Sequence, residues 1–338
     1  MNRNQISNLS ANGGSLPAGW QAGASGGKSQ IPKIPVLVGP TGVGKTEIGI
    51  VLGEKLKNVE IISCDSRQIY RYLDIGTAKP TKEEQKRVVH HLIDIVDPDE
   101  DFTAADYGRI VQKTIREIRE RNKVPIIIGG CGLYLKTLSR GIFDAPKTNP
   151  LLRKKLQKEK KEILYQKLKK IDAEAAKKIH PNDLRRIVRA LEVYELTGTP
   201  ISLLQKETTK PFEISLDIIG LCRKRKELYQ RIEKRIERML SQGLVEETEK
   251  ILQKGYSPEL KSLQTFGYRE IIKNLRGELS LSEAIDLIKR ESRNYAKRQM
   301  TWFRGEKEIE WIEISEEQNI DAIVRNIAEK GKGKEIWY

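Results

Sequence analysis

The sequence predicts an α/β fold, a doubly wound and mostly parallel sheet, on three observations. The apolar run Ile34-Pro35-Val36-Leu37-Val38 leads into the glycine-rich octapeptide Gly39-Pro40-Thr41-Gly42-Val43-Gly44-Lys45-Thr46, which opens an amphipathic stretch from Glu47 to Leu56. Strand-like and helix-like segments then alternate as far as about Arg140. One of them, Val124–Ile128, is an unbroken apolar run, as a parallel strand covered on both faces requires. Strand, glycine loop and helix in that order make the octapeptide a phosphate cradle and the fold P-loop NTPase-like.

The elements follow in order. Strands are expected at Val36–Val38, Glu60–Cys64, Leu92–Ile95 and Val124–Ile128. Helices are expected at Lys45–Leu56, Thr103–Arg121 and Leu133–Ser139, with Thr103 as an N-cap and Pro125 separating the second helix from the next strand. From Thr148 the texture changes to a lysine-dense helical region, Leu151–Lys170, which His180-Pro181-Asn182-Asp183 interrupts. Leu184–Leu196 resumes the helical period, with Leu184, Ile187, Val188 and Leu191 on one apolar side and Gly198 as the stop. Ile214–Leu221 returns to strand, followed by helices at Lys226–Ser241, Leu244–Gln253 and about Ser280–Phe303, a short strand at Glu310–Ile314, a last helix and a frayed basic tail at 331–334. The expected organisation is a disordered leader (1–30), the first part of the core (31–142), a mainly helical insertion domain (143–212), and completion of the core with C-terminal helices (213–338).

Composition narrows the partners. Lys and Arg number 62 against 47 Asp and Glu, a net charge of +15 that attracts a polyanion, nucleic acid before membrane surface. No apolar stretch is long enough to span a bilayer. Cys64, Cys131 and Cys222 lie far apart without C-x-x-C spacing, so neither a zinc site nor a disulfide framework is implied, and a reducing cytoplasm is expected.

Chemistry concentrates at the ends of the expected strands. In the loop, Lys45 supplies a mobile positive charge and Thr46 a hydroxyl for Mg²⁺, so a di- or triphosphate is the expected ligand. The second strand ends in Asp65-Ser66-Arg67-Gln68. There Asp65 has three open roles: holding Mg²⁺ indirectly, capping the turn, or acting as general base. Asp74-Ile75-Gly76-Thr77-Ala78-Lys79-Pro80, taken alone, is a solvated loop. Gly129-Gly130-Cys131-Gly132 leaves the fourth strand where a backbone can approach a ligand. Positive charge gathers at Arg185, Arg186 and Arg189; at Arg223 to Lys226; and along Lys289, Arg293 and Lys297 with Arg290, Arg298 and Arg304, interleaved with Tyr295, Trp302 and Phe303. Three such clusters favour contact with a phosphate backbone.

In series, these motifs carry a family resemblance. The glycine octapeptide, Asp65-Ser66-Arg67-Gln68-Ile69-Tyr70, the segment Asp74–Pro80, Gly129-Gly130-x-Gly132-Leu133-Tyr134, His180-Pro181-Asn182-Asp183, Arg186-x-x-Arg189-Ala190-Leu191-Glu192-Val193, Gly267-Tyr268-Arg269-Glu270 and Lys297-Arg298-Gln299-x-Thr301-Trp302-Phe303-Arg304 occur in this order. The chain resembles the bacterial type of the tRNA dimethylallyltransferase (tRNA isopentenyltransferase) family from about Ile34 onward.

The resemblance implies transfer of a dimethylallyl group from dimethylallyl diphosphate to N6 of the adenosine just 3′ of a tRNA anticodon, with release of pyrophosphate. It implies that Gly39 to Thr46 hold the donor diphosphate, that Lys45 and Arg225 stabilise the leaving group with Mg²⁺ at Thr46, and that Asp65 is the general base. It implies tRNA contacts from Asp65, Ser66, Arg67, Gln68, Arg153, Arg185, Arg186, Ile187, Val188, Arg189, Gln264, Gly267, Tyr268, Arg269, Lys297 and Arg298. Cys131 stands where the family has a threonine whose hydroxyl lies near the reacting centre, and the leader is unlike the family. A monomer in the cytoplasm is expected. Two rival readings share the loop: a P-loop kinase for a nucleoside or small metabolite, and an ATP-driven nucleic-acid-binding protein without transfer chemistry.

Overall fold

The structure is a computed structural model and describes residues 33–143 and 145–332; the leader and the end of the basic tail lie outside the described residues. Six strands form one sheet: β1 (Ile34–Val38), β2 (Val59–Cys64), β3 (His90–His91), β4 (Val124–Gly129), β5 (Leu216–Cys222) and β6 (Glu310–Glu313). Their order is β3-β2-β4-β1-β5-β6, and every neighbouring pair is parallel. Every residue of β1, β2 and β4 is buried, as continuous Val/Ile runs covered on both faces must be. The Leu92–Ile95 strand does not form. Leu92 and Asp94 take left-handed backbone (φ 62° and 56°), and the amides of Asp94 and Ile95 donate to the carbonyls of Gln68 and Ile69. The edge strand therefore stops at His91.

The chain divides into two compact units. The first comprises the residues up to Phe102, Val111–Tyr134 and those from Glu213 onward; the second comprises Thr103–Ile110 and Leu135–Phe212. In the first, helices α1 (Lys45–Leu56) and α2 (Lys82–Arg87) precede α3 (Ala104–Glu120) and α4 (Gly132–Arg140), whose residues are divided between the two units. Thr103 caps α3 as expected, its Oγ1 accepting from the Asp106 amide at 3.1 Å. In the second unit the lysine-dense region is two helices, α5 (Pro150–Leu156) and α6 (Lys161–Ile171), followed by α7 (Ala173–Lys178), α8 (Leu184–Thr197) and α9 (Ile201–Thr208). Gly198, at φ 70°, terminates α8. The first unit closes with α10 (Arg225–Ser241), α11 (Leu244–Gln253), α12 (Tyr268–Leu275), α13 (Leu281–Arg304) and α14 (Ile320–Lys332). Gly331 and Lys332, expected in a frayed tail, belong to α14. Among the described residues no helix is long and apolar enough to cross a membrane.

The second unit has its own core of Leu156, Leu164, Leu168, Ile187, Val188, Leu191 and Ile201. Ile187 and Val188, expected at an RNA surface, are corrected to core residues, 0% and 3% exposed. Beside them Glu192, also 0% exposed, binds both nitrogens of the Arg153 fork at 2.9 Å. The same carboxylate accepts from Arg189 Nη1 at 2.6 Å and the Asn149 amide at 2.7 Å. Arg153 and Arg189 thus neutralise a buried acid rather than reach outward. Burial pushes the Glu192 carboxyl up, but the two guanidiniums and the amide outweigh it and hold it below the ordinary range. With a depressed folded-state pKa, the stabilisation is present above the unfolded glutamate value and is lost as pH falls through the folded one. Replacing Glu192 with Ala strands two arginines and is expected to cost about 3–5 kcal/mol, read as a lowered urea midpoint at neutral pH.

Candidate active site

Parallel register brings four strand ends to one level. Val38 lies opposite Gly129 and Gly220, and Cys64 opposite Gly129. The loops that follow β1, β2, β4 and β5 therefore open on the same side of the sheet, the usual ligand side of such a fold. They are the glycine loop, Asp65–Gln68, Gly130–Cys131 and Arg223–Lys224.

The glycine loop has the form its sequence anticipates. Gly44 is left-handed (φ 111°) at the N-cap of α1 and brings no capping side chain, so no side chain of its own competes for the first-turn amides. The Lys45 ammonium curls back to donate to the carbonyls of Gly39 and Pro40, both at 2.9 Å. Burial, then the neighbouring Arg235 guanidinium, lowers the Lys45 pKa to about 8, with Asp65 opposing.

Three arginines hold the loop from below. Arg223 Nε donates to the Val43 carbonyl at 2.9 Å and its fork pairs with Glu227. Arg231 Nε donates to the Gly42 carbonyl at 3.1 Å. Arg235 Nη1 reaches Thr41 Oγ1 at 3.2 Å, and its Nη2 reaches the Thr77 carbonyl at 3.4 Å. Arg225, expected to reach the phosphates, lies on the surface instead: Nε donates to the Tyr229 hydroxyl at 3.1 Å, and the guanidinium sits 5.2 Å from the centre of that ring. Sequence reading missed Arg231 and Arg235. The available signal was their i, i+4 spacing beside the stripe Leu228, Ile232, Ile236 and Met239, which turns them toward the sheet.

Asp65 Oδ1 accepts from the amides of Arg67 (2.8 Å) and Gln68 (3.4 Å), so the carboxylate does cap its turn. It also lies in the field of Lys45 and Arg235, contributing to the electrostatics of both. The Cys131 thiol sits between Ser66 and the Tyr134 backbone. Burial is the main cause that pushes it up, so it stays protonated and is no nucleophile. Phe266 and Tyr295 pack with ring centroids 5.2 Å apart, tilted by 47°, with Arg298 over the Tyr295 ring, and the Tyr295 phenol feels both Asp65 and Cys131.

Several expected RNA contacts have other occupations. The Gln68 amide is spent on Ser63 Oγ (3.1 Å) and the Ala78 carbonyl (3.1 Å). Arg67 Nη1 donates to the Lys261 carbonyl, Gln264 Nε2 to that of Pro258, and Arg269 to Glu270. The Gly267 amide donates to Glu270 Oε2. Tyr268 is corrected to a core residue, 0% exposed. Its hydroxyl donates to Glu247 at 2.5 Å and accepts from the Gly76 amide. Glu247 also accepts from the amides of Asp74, Ile75 and Gly76, while the buried Lys79 ammonium binds the Tyr70 carbonyl, Asp74 and Asp94. The segment 74–80 is consequently a fixed wall and not a solvated loop. Arg185, Arg186, Lys297 and Arg298 remain exposed. Lys289 and Arg293 pair with Glu237 and Glu233 of α10.

With this geometry in place, a family model described as IPP transferase matches residues 68–306. The chain belongs to that family. It is 47% identical over 313 residues to a tRNA dimethylallyltransferase of Pelotomaculum thermopropionicum, covering 90% of this chain and 99% of that protein. A tRNA dimethylallyltransferase of Thermodesulfovibrio yellowstonii is 47% identical over 303 residues, covering 87% and 96%. Among solved structures, the full-length tRNA isopentenylpyrophosphate transferase of Bacillus halodurans superposes with a TM-score of 0.64 at 40% identity, covering 90% of this chain and 98% of that one. A eukaryotic dimethylallyltransferase acting on tRNA superposes with a TM-score of 0.74 at 29% identity, covering 90% and 79%.

With its pKa lowered to about 8, Lys45 is mostly charged at neutral pH and loses that charge as pH rises through this value. Pyrophosphate affinity, measured calorimetrically, is expected to fall between about pH 7 and about pH 9.5, and Lys45→Met should flatten that response.

Proposed function

We propose that this chain transfers a dimethylallyl group from dimethylallyl diphosphate to N6 of the adenosine 3′-adjacent to the anticodon in tRNA. The observation that carries the reading is the placement of Asp65 beside a cationic cradle: the loop amides, Lys45 and Arg235 on one side, a carboxylate on the other. Close relatives named for this activity support it.

In this reading the allylic C–O bond of the donor breaks and negative charge builds on the departing pyrophosphate. Preorganised donors at that point lower the barrier more than they stabilise the ground state. The adenine N6 is a weak nucleophile because its lone pair is delocalised into the ring. Asp65 accepts a hydrogen bond from N6–H, holds the amine in line with the allylic carbon, and takes the proton as the C–N bond forms. Thr46 would hold Mg²⁺, and the ion would neutralise diphosphate charge.

The adenine has to leave its stack to reach Asp65. The Phe266–Tyr295 pair with Arg298 offers stacking faces next to that carboxylate, and Arg185, Arg186, Lys297 and Arg298 supply exposed charge for the phosphate backbone. The protein acts on tRNA as a monomer in the cytoplasm.

Incubation with unmodified tRNA and labelled dimethylallyl diphosphate is expected to put label on one adenosine; ATP consumption with unlabelled RNA would instead support the kinase or ATPase reading. Asp65→Ala is expected to lower kcat by about 10²–10⁴-fold while leaving tRNA affinity nearly intact in a filter-binding assay. Cys131→Thr, which restores a stronger hydrogen-bond donor beside Ser66, is expected to keep or raise turnover in the same transfer assay.

A further inference from the structure

Within the motif Lys297-Arg298-Gln299-x-Thr301-Trp302-Phe303-Arg304 only Lys297 and Arg298 are expected to contact tRNA, and α13 carries two kinds of residue there. Lys297 and Arg298 are exposed, whereas Ala296, Gln299 and Phe303 are buried on the opposite side. A buried amide on a helix remote in sequence from both glycine loops needs a reason. The structure provides one: Gln299 Oε1 accepts from the Thr41 amide at 2.8 Å, and its Nε2 donates to the Gly130 carbonyl at 2.8 Å. One side chain thus bridges the phosphate loop after β1 and the loop after β4 that carries Cys131.

The surroundings leave no slack in that bridge. A Cβ on Gly130 would lie 2.4 Å from Gln299 Nε2 and 3.2 Å from the Gly39 carbonyl oxygen, so the two loops and the amide are already in contact. One turn further along α13, Trp302 covers Gly132, where an added Cβ would come within 2.5 Å of the indole. Both glycines of the second loop are therefore set by the helix that presses on them.

We infer that Gln299 is a positioning residue, which fixes the distance between the diphosphate cradle and the Gly130–Cys131 loop and so aligns the donor carbon with the base held by Asp65. The inference rests on the transfer reading for its kinetic consequence but not for its effect on anion binding. The Thr41 amide donates to Gln299 Oε1, which holds the first peptide of the loop, while Arg231 and Arg223 hold the carbonyls of Gly42 and Val43. Small displacements matter at such a site, because a misplacement of about 1 Å costs about 10²-fold in rate.

Three variants separate the possibilities. Gln299→Leu removes both hydrogen bonds without adding charge. Gln299→Glu keeps the acceptor for Thr41 but, when ionised, sets an oxygen against the Gly130 carbonyl; when protonated, it is a donor again and mimics glutamine. Gln299→Ala removes the packing as well, so a loss in the Ala variant beyond that of Leu measures the packing contribution. The expected result is a loss of about 10²-fold in kcat/KM for the donor with Gln299→Leu, weaker pyrophosphate binding, and unchanged tRNA affinity. Gln299→Glu should recover relative to wild type as pH falls, starting above the ordinary glutamate value of about 4.3 because burial raises a carboxyl. The Leu variant should show no such recovery. The inference is overturned if Gln299→Leu lowers the thermal midpoint while kcat and pyrophosphate affinity of the folded fraction stay at wild-type values. It is equally overturned if the Glu and Leu variants share one pH profile. Should the wild-type protein transfer nothing to tRNA, the proposed function fails, and the pyrophosphate titrations still decide the role of Gln299.

Discussion

The site depends on positive charge held near the sheet with no carboxylate paired directly to it, Asp65 acting on it only through its field. Among the described residues neither Lys45 nor Arg235 forms an ion pair with a carboxylate; they settle for the carbonyls of Gly39, Pro40 and Thr77 and the hydroxyl of Thr41. Two neighbouring cations out of water are unfavourable, and the depressed Lys45 pKa records that cost. An incoming di-anion relieves it. Carbonyl contacts are weak enough to yield to phosphate oxygens, so the loop is ready for its ligand rather than locked against it.

Such an arrangement persists only where the backbone around it is over-determined. The segment 74–80 shows how that is done. Glu247 gathers three consecutive amides, Tyr268 seals the carboxylate, Lys79 ties Asp74 to Asp94, and the Gln68 amide binds the far end at Ala78. The Thr77 carbonyl is then fixed where Arg235 needs it. A chain of satisfied hydrogen bonds thus runs from α11 to the phosphate loop. It explains how the polar groups of Thr77 and Lys79 are buried.

Much of this was legible in the sequence, for identifiable reasons. The parallel core strands announce themselves as unbroken apolar runs, and the glycine loop by its place between strand and helix. The edge strand was misplaced because Leu92-Ile93-Asp94-Ile95 has strand composition, whereas the left-handed Leu92 and Asp94 serve long-range bonds to the Gln68 turn. The site was legible where one local motif makes it, as with Lys45 and Asp65. It was not where the partner is distant in the chain: Arg235 lies 194 positions from Thr41, and Gln299 lies 258. Local patterns carry no record of such pairings.

Charge clusters were the least reliable guide, and the reason is general. A count of arginines cannot separate those that neutralise a buried acid from those that await an anion. Arg153 and Arg189 share Glu192; Lys289 and Arg293 brace α13 against α10; Arg225 lies on Tyr229. All but Arg225 already have an acidic partner, and Arg225 rests on an aromatic ring, so a charge count alone does not mark any of them as an RNA contact. Arg185, Lys297 and Arg298 are exposed and have no acidic partner among the described residues, so they hold the long-range attraction for a polyanion. The excess of +15 is therefore divided by neighbourhood. Near the glycine loop it is inward and sized for a diphosphate. On the helix surfaces it is outward and suits a nucleic-acid backbone; α13 carries such charge on its exposed face and reaches the glycine loop only through the neutral amide of Gln299.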